Sequence, residues 1–262
     1  MTLAMAALAV PLAAGTTAAP VPHETCGELR SGGLLPGLDF PRDHDFAFEA
    51  CTGSIRPGAM MSSPGCTYSF VLEDAAGALY IGTAGHCVSR VGQRVATPGV
   101  GTFGTVLTRW ALNVDYALIK IDDDKRAFVN PTLCAWGGPV GADPGDRPRF
   151  DVLLEYGWGF ATSATPQTRT RVLLEAQNTG NEIAWIGVGS GGDSGGPIVS
   201  VEGYAVGSHT RGITPLAGVA FEAGPTFARM LASGRTAVPS LELVTGDPTN
   251  VELIAQELRA LA

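Results

Sequence analysis

The feature that most constrains this chain is a succession of short apolar runs closed by glycine, proline, asparagine or aspartate: "CTYSFVLED", "ALYIGTA", "VDYALIKID", "DVLLEYGWG", "TRVLLEA", "NEIAWIGVG", "GPIVSV", "GYAVGSHT" and "LAGVAFE". Runs rich in β-branched and aromatic residues between turn formers read as strands of an all-β barrel or sandwich. The 35 glycines and 18 prolines supply the turns such a fold needs, and 262 residues suffice for one large β domain or two small ones. "PVGADPGDRP" (139–148) reads as a linker, which divides the strands into two consecutive barrels, about 52–140 and 146–235. Helices are expected only near the end. "PTFARMLASG" places Phe227, Met230 and Leu231 at i, i+3, i+4, and "GDPTNVELIAQELRALA" offers Thr249 or Asn250 as a cap before an apolar stripe in the 236–262 extension.

The first twenty residues are small and apolar, and the first charged or titratable side chains are His23 and Glu24. Such a run reads as a secretory signal rather than a membrane span, although its basic start is missing. A plain alanine-rich terminus is the alternative. Residues 21–51 mix proline, glycine and charge without a sustained period and read as a leader or pro-like segment. The five cysteines, Cys26, Cys51, Cys66, Cys87 and Cys134, show no C-x-x-C pair and are spaced like loop staples of an exported protein. A net charge of −8 leaves no basic footprint for nucleic acid or an anionic membrane. The mature chain is expected to be secreted, free of the membrane and monomeric.

Three stretches carry chemistry. "IGTAGHCVSR" puts His86 after a strand-like run, a place where histidines are most often structural. "NVDYALIKID" puts Asp115 at the start of another, where an acid is ordinarily a turn former. "GDSGGP" is more specific, since flanking glycines permit backbone conformations that bulkier residues block. Together, His86, Asp115 and Ser194 offer a base, an orienting carboxylate and a hydroxyl nucleophile, and the amides of Gly192 and Ser194 offer an oxyanion site. "GDSGG" also fits the G-x-S-x-G elbow of α/β-hydrolases. There a helix follows the serine and the acid and histidine come after it, whereas here a turn and two β-like runs follow.

"TAGHC" (83–87), "DYALIKI" (115–121) and "GDSGGP" (192–197), in this order, resemble the three signatures of the chymotrypsin-like serine peptidases. The likeness spans about residues 52–235 and extends to "GWG" (157–159) and "FARM" (227–230). It implies two six-stranded Greek-key β-barrels with C-terminal helices, His86 and Asp115 on the first barrel, Ser194 on the second, and no metal or cofactor. It also implies a Cys66–Cys87 bridge beneath the histidine, and for Cys134 a partner near the N-terminus, Cys51 before Cys26. The implied substrates are proteins or peptides, hydrolysed through an acyl-enzyme on Ser194. A non-catalytic binding or scaffold member of the same fold is the rival; such members have usually lost a catalytic residue, and none of the three is missing here.

The chain also departs from the family. "SIRPG" (54–58) has no basic cleavage residue before Ile55, and the opening resembles secreted bacterial members, in which an internal arginine neutralises the aspartate before the serine. Arg147 and Arg149 are candidates for pairing with Asp193. Position 190 is serine where many members have a bridging cysteine. The resemblance places the specificity pocket at Val188, with a wall over "AVGSHTRG" (205–212) that includes His209, Thr210 and Gly212. Valine offers no anion for lysine or arginine, so trypsin-like preference is disfavoured. The remaining options are a small or medium apolar side chain, or an acidic one facing His209.

Overall fold

The computed structural model describes residues 52–110, 114–145, 151–159, 170–187, 189–216, 219–250 and Ile254. The short runs fold as strands throughout. The first sheet comprises β1 (Val71–Glu73), β2 (Leu79–Thr83), β3 (Arg94–Thr97), β4 (Gly101–Trp110) and β5 (Tyr116–Ile121), joined by β14 (Glu242–Leu243) from the C-terminal extension, in the order β14-β1-β2-β5-β4-β3. The second comprises β6 (Gly141–Ala142), β7 (Val152–Tyr156), β8 (Thr170–Asn178), β9 (Glu182–Ile186), β10 (Pro197–Ser200), β11 (Tyr204–Ser208), β12 (Arg211–Leu216) and β13 (Val219–Pro225), in the order β12-β13-β9-β8-β7-β10-β11-β6.

Strand alternation explains why the runs are apolar at nearly every position. Val71, Ile81, Ala117, Ile119 and Ile121 point into the first barrel with Tyr68 and Phe103. Their neighbours Leu72, Tyr80, Tyr116 and Leu118 point the other way, into a larger core shared with Leu154, Tyr156, Val172 and Val199 of the second sheet. In the second sheet Leu153 and Leu173 face inward with Ile183, Trp185, Ile198 and Val206. Over most of their length these strands are buried on both faces, so a two-residue period sends successive side chains into one core or the other, while Lys120 and Leu174 reach the surface.

The double-barrel reading holds, with two refinements. The second sheet has eight strands instead of six. The strand of the "GYAVGSHT" run ends at Ser208, because His209 N–H donates to Gly196 O on one side while Thr210 N–H donates to Ala223 O on the other. Gly141–Ala142 adds an edge strand parallel to β11. In the first sheet the sixth strand is β14, which pairs Leu72 with Leu243.

The helix α1 (Phe227–Arg235) begins at the cap Thr226, whose hydroxyl accepts from Arg229 N–H at 3.2 Å, and buries Phe227 and Met230. The chain then turns back to the first barrel. Leu241 and Ile254 enter the shared core, and Gly138 and Asn250 N–H donate to Asp247 O and Trp136 O. Ile254 is helical and bonds Asn250 O; the remainder of the expected second helix lies outside the described residues. The extension is thus part of the packed structure. Leu241→Ala should lower the unfolding free energy by about 2–5 kcal/mol in urea denaturation. A change below about 0.5 kcal/mol would show that the tail is not anchored there.

Candidate active site

Strand register brings the histidine and the aspartate together. β2 and β5 pair antiparallel with Thr83 opposite Ala117. His86, in the 3₁₀ turn Gly85–Cys87 after β2, and Asp115, just before β5, therefore leave the same end of the sheet. Asp115 has φ 49°, a left-handed conformation uncommon for a side chain other than glycine or asparagine-like residues. Both its oxygens are then used on one residue. Oδ1 accepts the His86 backbone N–H at 2.9 Å and Oδ2 lies 2.8 Å from His86 Nδ1. Arg109 Nε donates to Gly85 O at 2.6 Å and pins the turn from β4. The histidine side chain is 47% exposed, and among the described residues its Nε2 has no hydrogen-bond partner.

The serine turn runs from β9 to β10 and is held against the first barrel by Thr67. Thr67 N–H donates to Ser194 O and its hydroxyl to Gly192 O, both at 2.9 Å, while the same hydroxyl accepts from Trp158 N–H at 3.1 Å. Gly192 and Gly195 have φ of 110° and 92°. A Cβ on Gly195 would collide with Thr67 O and come within 2.6 Å of Thr83 Oγ1 and 3.1 Å of Ala84 N, so glycine lets the serine turn seat against the histidine turn. Among the described residues, the N–H groups of Gly192 and Ser194 and the Ser194 hydroxyl have no hydrogen-bond partner.

A disulfide joins Cys66 and Cys87, 21 positions apart, with Cα atoms separated by 6.1 Å. Loop-closure entropy for such a span is worth about 3 kcal/mol. The bridge lies beneath both turns: Cys87 Sγ is 3.7 Å from Ser194 O, and a His86 ring nitrogen is within 4.8 Å of both sulfurs. With the sulfurs bonded to each other, this cluster offers no thiolate to a metal. Cys134 is also disulfide-bonded; Cys51 and Cys26 lie outside the described residues.

Behind the serine turn the second barrel encloses a charged cluster that sequence reasoning missed. Asp193 is fully buried. Its Oδ2 receives Arg171 Nη1 at 2.6 Å and Ser190 N–H at 2.9 Å, and its Oδ1 receives Gly159 N–H at 2.7 Å. Burial alone would raise the Asp193 pKa, but Arg171 outweighs it and holds the carboxyl below the usual range. Arg171 Nη2 also forms an ion pair with Glu155 Oε1 at 2.7 Å. The arginine expected for Asp193 is therefore supplied by β8, whereas Arg147 and Arg149 lie outside the described residues. A signal was present in the sequence: Arg171 and Glu175 share the strand phase of the inward-facing Leu173, and Glu155 that of Leu153.

His209 completes the cluster. It is 3% exposed and packs edge-on against Trp185, with ring centroids 5.3 Å apart. Its Nδ1 is 2.8 Å from Glu155 Oε1 and its Nε2 is 3.1 Å from Glu222 Oε2. Both ring nitrogens are thus occupied by carboxylates. Of the two options for the pocket, the acidic side chain facing His209 would have to displace one of these carboxylates. Thr210 is buried and bonded to Ala223 O, Gly212 is exposed, and Val188 lies outside the described residues.

Burial works to lower the His209 pKa and Arg171 does the same, but Glu155 and Glu222 outweigh them and push it up to about 9. A pKa raised on folding contributes stability that is complete below about 6.5 and is lost as pH rises through about 9. The urea midpoint of the full chain should fall across this window; one that is constant or rises would contradict a charged His209.

No protein-family model matches the sequence, and no curated protein matches it. Solved structures do match. A protease A from Thermobifida fusca aligns with TM-score 0.54 and 20% identity over 74% of this chain and 100% of its own. A glutamic-acid-specific serine protease that uses a histidine triad in substrate binding aligns with TM-score 0.55 and 16% identity over 72% of this chain and 100% of its own. A Nocardiopsis protease aligns with TM-score 0.52 and 20% identity over 72% and 98%. In this chain two β-sheets join across a shared core, and the "TAGHC" and "GDSGGP" turns meet between them. The chain has the double-barrel fold of the bacterial chymotrypsin-like serine proteases.

Proposed function

We propose that this chain is a serine endopeptidase acting on proteins or peptides through an acyl-enzyme on Ser194. The observation that carries the reading is the placement of His86. Both oxygens of Asp115 hold it, its Nε2 is without a partner among the described residues, and the serine turn is packed against its own turn. An ionised Asp115 facing Nδ1 keeps the proton there and leaves the Nε2 lone pair to act as base.

Ser194 Oγ attacks the peptide carbonyl carbon as its proton passes to His86 Nε2, and the carbonyl oxygen becomes an oxyanion. The N–H groups of Gly192 and Ser194 stabilise that charge. The proton on Nε2 then passes to the leaving nitrogen as the C–N bond breaks, and water repeats the two steps on the ester to return Ser194 and the free acid. Asp193 anchors the turn through Arg171, which keeps the N–H groups in place.

Residues 1–20 serve as an export signal, 21–51 as a leader, and 52–235 as the peptidase domain. The Cys66–Cys87 bridge supports an oxidising, extracellular location, and no helix among the described residues is long and apolar enough to cross a membrane. Digestion of casein and of a mixed peptide library by the purified chain should give new termini that Ser194→Ala does not produce. A folded chain that cuts neither would favour the binding-scaffold alternative.

A further inference from the structure

We propose that Glu222 makes the pocket beside Ser194 select a cationic side chain, lysine or arginine, on the acyl side of the scissile bond. The assignment rests on the peptidase reading and concerns the substrate class of that site.

The segments nearest the nucleophile define the pocket. Gly195 N–H donates to His209 O at 2.6 Å and His209 N–H to Gly196 O at 2.8 Å, so residues 209–212 run alongside the serine turn. Residues 189–192 lead into that turn from the other side. A side chain one bond from the carbonyl that Ser194 attacks enters between these two segments. The carboxylate between them belongs to Glu222, on β13 opposite Gly212. Its Oε1 accepts the Gly189 N–H at 3.0 Å.

Both segments carry glycine where they pass this carboxylate. A Cβ on Gly212 would lie 3.1 Å from Glu222 Oε2. One on Gly189 would lie 2.8 Å from Glu222 Cδ and would collide with His209 Cε1. Glu222 is itself 6% exposed, flanked by the His209 ring and by the backbone of Gly189 and Gly212, and of these Gly212 is exposed and Gly189 half-buried.

The charges around it leave an excess of negative charge. Among the described residues, Asp193, Glu155 and Glu222 face Arg171 and a protonated His209, three carboxylates to two cations, and Glu222 is the carboxylate next to the glycines. Arg211, the cation adjacent to Gly212 in sequence, is directed to Glu182 at 2.5 Å. A substrate carboxylate would meet Glu222 and be repelled, whereas an ammonium or guanidinium would complete the charge balance. The sequence argument against basic substrates relied on Val188 offering no anion; the anion comes instead from a strand 34 positions further on.

The test is a set of peptide p-nitroanilides differing only in the residue before the scissile bond (Lys, Arg, Phe, Ala, Glu), hydrolysed by the full chain, its Glu222→Gln variant, and both in the presence of benzamidine. Lys and Arg should exceed the other three in kcat/KM by roughly tenfold or more, since a cation beside the Glu222 carboxylate gains an attraction that a neutral or acidic side chain lacks. Glu222→Gln should bring the five within about tenfold of one another and weaken benzamidine inhibition, while a fluorophosphonate still labels Ser194. A best substrate with Glu, Ala or Phe, or an unchanged Lys/Arg preference in Glu222→Gln, would overturn the assignment. Failure of the folded chain to turn over any of the five, or to be labelled, overturns the peptidase reading and this assignment with it.

Discussion

Ser194→Ala is expected to lower kcat by roughly 10⁶-fold without loss of folding, because the nucleophile and its base act as one unit and removing either forfeits most of the chemical step. Ser194 is only partly buried, and its hydroxyl has no partner among the described residues, so its removal breaks no structural bond. His86→Ala should cost about as much. Asp115→Asn should cost roughly 10⁴-fold, since an amide in place of the carboxylate favours the wrong tautomer of His86 while both bonds to the turn remain possible. The order of these effects on kcat, with a urea midpoint near that of the parent, is the checkable pattern. An Asp115→Asn variant as active as the parent would mean that the pair is structural.

Arg171→Met is expected to destabilise the fold by about 3–5 kcal/mol and to abolish activity, even though Arg171 lies on a strand behind the serine turn. It bonds Asp193 and Glu155 in a nearly dry interior, with the arginine side chain 8% exposed and the two acids 0% and 1%. Removing the cation takes the arginine from two buried carboxylates, and the penalty is the poorer compensation of their burial rather than the net worth of the pair. Asp193 also receives the N–H of Ser190 and Gly159, so the loss reaches the turn carrying Gly192 and Ser194. Urea denaturation and active-site labelling together check this. A variant with the parent's midpoint and full labelling would show that Asp193 does not depend on Arg171.

The sequence is legible where local rules decide the structure. Alternation of strand side chains makes runs such as "DYALIKI" readable, because Ala117 and Ile119 turn to one core while Tyr116 and Leu118 turn to another. The order of His86, Asp115 and Ser194, and the glycines around the serine, are legible for the same reason: the turn needs φ values that only glycine adopts easily. The unread parts depend on partners far apart in the chain. Glu155, Arg171 and Glu222 come from three strands of the second barrel, Asp193 from the serine turn and His209 from the link between β11 and β12, and no local pattern pairs them. β14 is two residues long and gains its strand character only by lying beside β1. Thr67 looks like any strand threonine, and its role in holding Gly192 and Ser194 appears only when the two barrels are brought together.

The most direct test of the central claim is mass-spectrometric mapping of the purified chain after treatment with a fluorophosphonate, which phosphonylates a serine only when a neighbouring base activates it. The account predicts one adduct, on Ser194, that is lost in His86→Ala and strongly slowed in Asp115→Asn. No adduct on the folded chain, or labelling of Ser194 that persists at the parent rate in His86→Ala, would contradict it.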